Sequence, residues 1–275
     1  SAALFLLGTL QQQSVRDMFT TIVALTVSIV PEGLPIVLTL VLATGVWRMA
    51  KRNALVKRLA AVEALGQARV LALDKTGTLT KNELVVQRVW VDGETFAIGG
   101  SGYEPSGEVA LLGSHDRREV VSPPDVPGLM LLGRLAAFCS SARLSFIEES
   151  NEWRITGDPT EAALRVFGEK LDFRKEDLIL RHPPIDEIPF DYRLKFHATL
   201  HRENGSGTLA MIGAPEAVLS RAVEHWTRSG VHELTLGERE ELEAVFHGLS
   251  SNGFRVLACA YRERVAGPIA SEKLP

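Results

Sequence analysis

The stretch from Met18 to Trp47 carries one charged side chain, Glu32. As continuous helix it would reach about 45 Å, against roughly 30 Å of bilayer hydrocarbon. The excess predicts a membrane span whose middle departs from regular helix. Its centre reads VSIVPEGLP, where Pro31 and Pro35 lack an N–H. The carbonyls of Val27 and Pro31 thereby lose their helical partners, and Gly33 eases unwinding between them. Freed carbonyls beside a carboxylate make a cation site, and an intramembrane carboxylate is costly enough to point to function. The plainer alternative is a proline kink with Glu32 turned to a neighbouring helix. Arg48, Lys51, Arg52, Lys57 and Arg58 follow the span, whereas Arg16 beside Asp17 precedes it. The positive-inside bias therefore places residues after 48 in the cytoplasm.

The 275 residues have room for more than one domain. A formal net charge of -4 supplies no basic field, which argues against a nucleic-acid partner. Cys139 and Cys259 sit in apolar runs without metal-ligand spacing and suit a reducing compartment and core packing. Residues 1–10 are apolar without a basic leader, too short to span a bilayer, and read as the end of a membrane helix in a chain cut at its start. The polar QQQSVRD that follows reads as a short loop, and residues 48–69 as a basic stalk leading into a helix.

That helix leads to VLALDKTGTLT, residues 70–80. The apolar residues 70–73 predict a buried strand that delivers Asp74 into a turn at its C-terminal end, where α/β sheets bind ligands. Lys75 adds a positive charge, Gly77 admits a backbone angle closed to other residues, and Thr76, Thr78 and Thr80 add hydroxyls. Such a loop suits phosphate. Beyond it, LVVQRVWV and ETFAIGGSGYEPSGEV predict short strands joined by a turn at Asp92-Gly93. Gly100, Gly102 and Gly107 read as turns, since no helix follows to make a phosphate site, and residues 113–128 read as a surface loop. A helix is expected over 128–141. Another begins at GDPTEAAL, with Asp158 as N-cap, Pro159 first and Glu161 as the third position of a capping box. Residues 184–201 read as a turn and a strand, and residues 237–250 as an amphipathic helix stopped at Asn252-Gly253. His197 and His201 invite a zinc reading, but four residues along a strand hold them about 13 Å apart.

DKTGTLT resembles the phosphorylation motif of the P-type ATPases, ion pumps of the haloacid-dehalogenase superfamily that form an aspartyl phosphate. By that resemblance Asp74 is the nucleophile, with Lys75 and Thr76 beside it, and Asp74 and the Thr76 carbonyl contribute to a Mg2+ shell. A phosphatase of the same superfamily would carry Asp two residues after the nucleophile, where this chain has Thr76. PEGLP resembles the fourth membrane helix of calcium-type pumps, which implies Glu32 and the carbonyls of Val27, Ser28 and Val30 as ligands of a transported cation. Oxygen ligands suit a hard ion, and Ca2+ is favoured. GSGYEPSG and GDPTEAAL are similar to segments of the pump nucleotide domain, where the position of Glu161 lies against adenine. The likeness further implies that Phe190 stacks on the base of ATP, that Lys195 and the glycine of GAPE, Gly213, lie at the nucleotide, and that Arg255 meets its phosphates. Two departures stand out. Leu194 occupies the place of the usual Arg, with Arg193 displaced by one, and Ile212 replaces the Lys of KGAPE.

The expected fold is therefore multidomain, α/β and α+β. It comprises a membrane part over 1–48 with one span kinked at PEGLP and a stalk with the first part of a haloacid-dehalogenase-like phosphorylation domain over 49–85. A nucleotide-binding domain of antiparallel sheet and helices is expected over 86–265, and the start of a return to the phosphorylation domain over 266–275. GDGxNDAP and TGES, which complete the family's active site, do not occur in the sequence. The expectation is a contiguous piece of a pump in the plasma membrane, with lipid and the remainder of the same pump as partners and no turnover of its own. A membrane-anchored nucleotide-binding module without catalysis is the alternative from another class.

Overall fold

The computed structural model describes residues 14–29, 33–113, 117–203, 205–265 and 269. They fall into two compact units, Ser1–Asp74 and Lys75–Pro275.

In the first unit, helix α1 spans Val15–Ile29, α2 Gly33–Ala50 and α3 Ala60–Gln67. Helix α1 starts inside the expected polar loop, because nothing in Val15-Arg16-Asp17 breaks a helix and Asp17 in the first turn complements the helix dipole. Its hydroxyls bond internally: Thr21 donates to the Asp17 carbonyl at 2.8 Å, Thr26 to Ile22 at 2.7 Å and Ser28 to Ala24 at 2.7 Å. An apolar helix can thus carry polar side chains without water. Pro35 is the third residue of α2, where a missing N–H removes no helical bond. The expected break at PEGLP falls on residues 30–32, outside the described residues, as do residues 1–10 and the expected return segment 266–275 apart from Ile269. By length and composition, Val15–Ala50 suffices to cross a membrane. Leu34, Ile36, Leu40 and Val41 are more than half exposed. Helix α2 ends in a turn with Asn53 at φ 60°, and the Lys51 ammonium lies 3.8 Å from the centre of the Trp47 ring.

Residues 70–73 form no strand, contrary to expectation, and Val70 and Leu71 are largely exposed. A strand needs a neighbour to take its backbone bonds, and among the described residues none pairs with this run.

The second unit is a mixture of helices and antiparallel sheets. Strands β1 Arg88–Val91, β2 Glu94–Ile98, β3 Val109–Leu112 and β4 Arg118–Val120 form a meander in that order. Asp92 and Gly93, both at positive φ, make the two-residue turn between β1 and β2 that matches strand twist. Strand β4 and a 3-10 turn at Pro123–Asp125 occupy what reads in sequence as loop, because β3 offers β4 an edge. Helix α4, Pro127–Phe138, is followed by the hairpin β5 Arg143–Ile147 and β6 Glu152–Thr156, by α5 Pro159–Lys170 and by α6 Lys175–Arg181. Strands β7 Pro184–Ile188, β8 Phe196–Glu203, β9 Ser206–Gly213 and β12 Ala258–Val265 form a second sheet in the order β12-β9-β8-β7, so the expected turn and strand over 184–201 are two paired strands. Helix α7 Pro215–Leu219, the hairpin β10 Glu224–Thr227 and β11 Gly230–Glu233, and α8 Leu236–Ser251 lie between β9 and β12 in sequence.

Strand β8 is buried on both faces. Phe196, Ala198 and Leu200 enter an apolar cluster with Leu209, Met211 and Val218. His197, Thr199 and His201 alternate with them, and each finds a polar partner. A His197 ring nitrogen meets the Cys139 carbonyl at 2.9 Å, the Thr199 hydroxyl lies 3.6 Å from the Cys139 sulfur, and His201 meets the His182 carbonyl at 3.0 Å. Burial pushes both cysteine thiols up to about 12, which keeps them protonated at neutral pH. His201 also stacks on Phe138, with ring centres 4.0 Å apart.

Burial pushes the His201 imidazole below its ordinary 6.5, while its bond to the His182 carbonyl opposes the shift. The unfolded chain then binds more protons than the folded unit, so this contribution is complete above pH 6.5 and is lost as pH falls below it. The urea midpoint is expected to drop between about pH 7 and 5, and to drop less in His201→Leu. Equal slopes in the two proteins would remove His201 from the account.

Candidate functional site

The turn after Asp74 is organised by one carbonyl. The Lys75 oxygen accepts from the backbone N–H of Thr78 at 3.4 Å, Leu79 at 2.9 Å and Thr80 at 3.2 Å, and from the Thr80 hydroxyl at 3.4 Å. Gly77, at φ 74°, lets the chain close on that point. A carboxylate at 74 and a hydroxyl and carbonyl at 76 are hard oxygen donors, a set that fits Mg2+. The Asp74 position follows irregular chain rather than a strand end.

Of the expected ion ligands, Val27 and Ser28 lie in the last turn of α1. Val30 and Glu32 are outside the described residues.

The nucleotide candidates gather at one end of the second sheet. Cross-strand register aligns Phe196 with Gly213 and Gly213 with Ala258. Lys195 lies one residue beyond that row and Arg255 three, while Phe190 follows β7, which ends at Ile188 opposite Ala198. Gly213 is required by close approach: a Cβ there would lie 2.4 Å from the Lys195 oxygen and 2.6 Å from the Phe196 Cβ. The loop that carries Phe190 and Lys195 is wound on Asp191. Its carboxylate accepts from Arg193 N–H at 2.7 Å and Leu194 N–H at 3.2 Å, and its carbonyl accepts from Lys195 N–H at 2.7 Å. Lys195 sits at φ 59°, and its ammonium donates to Glu216 of the GAPE turn at 3.0 Å. Phe190 is 48% exposed, with the Tyr192 ring nearly perpendicular to it and centres 5.3 Å apart.

Glu161 joins this end through α4. Asp158 caps α5 by accepting from the Thr160 N–H at 2.7 Å and the Glu161 N–H at 3.3 Å. The reciprocal half of the expected capping box is missing, because Ser141 captures the Glu161 carboxylate through its N–H at 2.8 Å and its hydroxyl. Ser140 donates to the Glu161 carbonyl at 2.8 Å, and the neighbouring Cys139 carbonyl holds His197.

Leu194 and Ile212 both pack against apolar clusters. Leu194 lies against the cluster around Phe196, while Arg193 stands exposed. Ile212 is 3% exposed in the cluster with Leu135, Phe138 and Cys139, where an ammonium would be stripped of water. A further lysine, Lys175 at the start of α6, lies within electrostatic range of Glu161 and Glu187. Burial pushes the Lys175 ammonium down and Arg165 adds to this, while Glu161 and Glu187 oppose it. The Glu187 carboxylate in turn meets His197 at 2.9 Å. No short motif marks Lys175, since its place depends on α6 packing across α4 and α5.

A cavity of about 960 Å3 in this unit is lined by residues including Val86, Leu132, Trp226 and Phe246, and of the described nucleotide candidates it includes Arg255.

Residues 128–274, more than half the chain, match the family model described as P-type ATPase, cytoplasmic domain N. The chain is 38% identical over 263 residues to a cation-transporting ATPase of Synechocystis sp., covering 94% of this chain and 28% of that protein. It is 32% identical over 265 residues to a calcium-transporting ATPase of Bacillus subtilis, covering 96% and 29% respectively. A sodium/potassium exporting P-type ATPase of Schizosaccharomyces pombe is 32% identical over 253 residues, covering 86% and 24%. The chain thus spans less than a third of the length of these curated relatives.

Proposed function

Because the chain belongs to the P-type ATPases, we propose that it binds ATP at the Phe190 end of the second sheet and serves an ATP-driven cation pump. The observation that carries this reading is the convergence of Phe190, Lys195, Gly213 and Arg255 on one sheet end, with Glu161 tied to it through Ser141 and His197. In the proposal adenine stacks on the exposed Phe190 ring, Lys195 and Arg255 meet phosphate oxygens, and Gly213 lets the Lys195 loop close against the GAPE turn beside them. Lys175 supplies the ammonium that Ile212 does not.

The reaction assigned to Asp74 is in-line transfer. A carboxylate oxygen attacks the γ-phosphorus, the bond to the β,γ-bridging oxygen breaks, and ADP departs with that electron pair. Bound Mg2+ would be held by Asp74 and Thr76 and would offset phosphate charge. Lys75 adds a positive charge, and Thr76, in place of a second Asp, withholds the acid–base group that would hydrolyse the product quickly. We assign residues 49–85 to the first part of a haloacid-dehalogenase-like phosphorylation domain, 86–265 to the nucleotide domain and 266–275 to the return. Residues 1–48 are the membrane part, held by lipid in the plasma membrane with the rest of the chain in the cytoplasm. The exposed apolar side chains of α2 support a lipid surround. The transported cation is assigned to Glu32 with the carbonyls of Val27, Ser28 and Val30. Ca2+ is favoured by the oxygen donors and by the calcium-transporting relative.

Isothermal titration of ATP tests the nucleotide site. Phe190→Ala is expected to weaken binding about tenfold, the usual worth of a stacked base, and Lys175→Met several-fold. Unchanged affinity in both variants would refute this placement.

A further inference from the structure

The hairpin of β10 and β11 pairs His225 directly with His232. Side chains opposite one another in an antiparallel pair share a face, and the two imidazole centres lie 5.6 Å apart. The Leu234 N–H bonds the Val223 carbonyl at 2.9 Å, and the chain then enters α8 through Thr235 as N-cap. Glu238, the third residue of that helix, divides its two oxygens. Oε2 accepts from the Thr235 N–H at 2.9 Å and the Thr235 hydroxyl at 2.6 Å. Oε1 faces His232 Nε2 at 2.6 Å and His225 Nδ1 at 3.4 Å.

Three ligand atoms therefore lie within 4.8 Å of one another, supplied by a hairpin and a helix start. Tetrahedral zinc holds nitrogen at about 2.0–2.1 Å and oxygen at about 2.0–2.2 Å, which spaces its ligands by roughly 3.4 Å. The distances here straddle that spacing, so a small opening of the His232–Glu238 bond admits the ion. Two imidazoles and one carboxylate suit zinc rather than Ca2+ or Mg2+. Thr235 fixes the carboxylate from behind, as outer partners of metal ligands do. His225 is partly buried while the His232 side chain is 44% exposed, so the site is both anchored and open to entry.

We propose that His225, His232 and Glu238 form a zinc site, with water as fourth ligand, that pins the β10–β11 hairpin to the start of α8. It shares no residue with the nucleotide candidates. His182, His197 and His201 are engaged with the α4 side of the second sheet, and His247 is exposed on α8.

The purified chain in detergent, stripped with chelator, tests this by titration of Zn2+ against a chromophoric indicator. One ion per chain with a Kd of micromolar or tighter is expected, together with a Zn2+-induced rise in the unfolding temperature. His225→Gln and His232→Gln should each weaken binding at least tenfold and reduce that rise, while His247→Gln changes neither. Circular dichroism of each variant without metal establishes that its fold is kept. If a variant fails to fold, visible absorption of the wild-type chain loaded with Co2+ decides the point: intense tetrahedral bands support the site, and weak octahedral ones overturn it. Absence of zinc binding at 100 μM, or binding within twofold of wild type in both folded variants, also overturns it and leaves the cluster a set of hydrogen bonds. None of these readouts depends on ATP, so the nucleotide assignment stands or falls separately.

Discussion

In a full-length P-type ATPase carrying this chain, Asp74→Asn is expected to reduce acid-stable label from γ-labelled ATP by at least ~10^3-fold. An amide oxygen is a poor nucleophile and carries no charge to be balanced by Lys75, so no acyl phosphate forms. Nucleotide affinity should survive, because Phe190, Lys195 and Arg255 are untouched by the change. Label retained by the Asn variant would remove Asp74 as nucleophile. Label lost together with nucleotide binding would point to misfolding instead, and circular dichroism separates the two. The same assay addresses the ion site: Glu32→Gln should raise the cation concentration needed for half-maximal label, and an unchanged concentration would remove Glu32 from the ligands.

Gly213→Ala is expected to destabilise the second unit by about 1–3 kcal/mol and to weaken ATP binding with it. The added methyl would meet the Lys195 oxygen at 2.4 Å and the Phe196 Cα at 2.7 Å. Neither atom can move cheaply: Phe196 is fully buried, and the Lys195 carbonyl accepts the Ala214 N–H at 2.9 Å. Relief would have to shift the Lys195 loop, and with it the ammonium and the ring at Phe190. Urea denaturation and ATP titration read the two effects. Gly237→Ala, where a Cβ meets nothing within 4 Å in the first turn of α8, is the matched control and should be neutral or slightly stabilising. A Gly213→Ala protein as stable as that control would refute the close-approach argument.

Local chemistry made much of the second unit readable. Asp158 with Pro159 placed the start of α5, Asp92-Gly93 placed a hairpin, and Asn252-Gly253 placed the end of α8, because each acts within a few residues. The hairpin β5–β6, strand β4 and helix α6 escaped reading because their short segments carry mixed polarity and form by pairing or packing. Glu161 shows the same limit at one residue. Its spacing from Asp158 suits a capping box, yet Ser141, twenty residues earlier, takes the carboxylate.

The apolar span, the DKTGTLT turn, the family resemblance, the start of α5 and the limits of α8 were legible in the sequence, all features whose physics is short-ranged or composed of contiguous residues. Only the tertiary structure decided that Phe190, Lys195, Gly213 and Arg255 share one sheet end, that Ile212 faces the core, and that His225 and His232 converge on Glu238. It also decided against a strand at 70–73, whose apolar residues suit one but find no neighbouring edge among the described residues. Hydrophobicity expresses what a segment would bury, whereas strand register and helix packing select the partner that buries it.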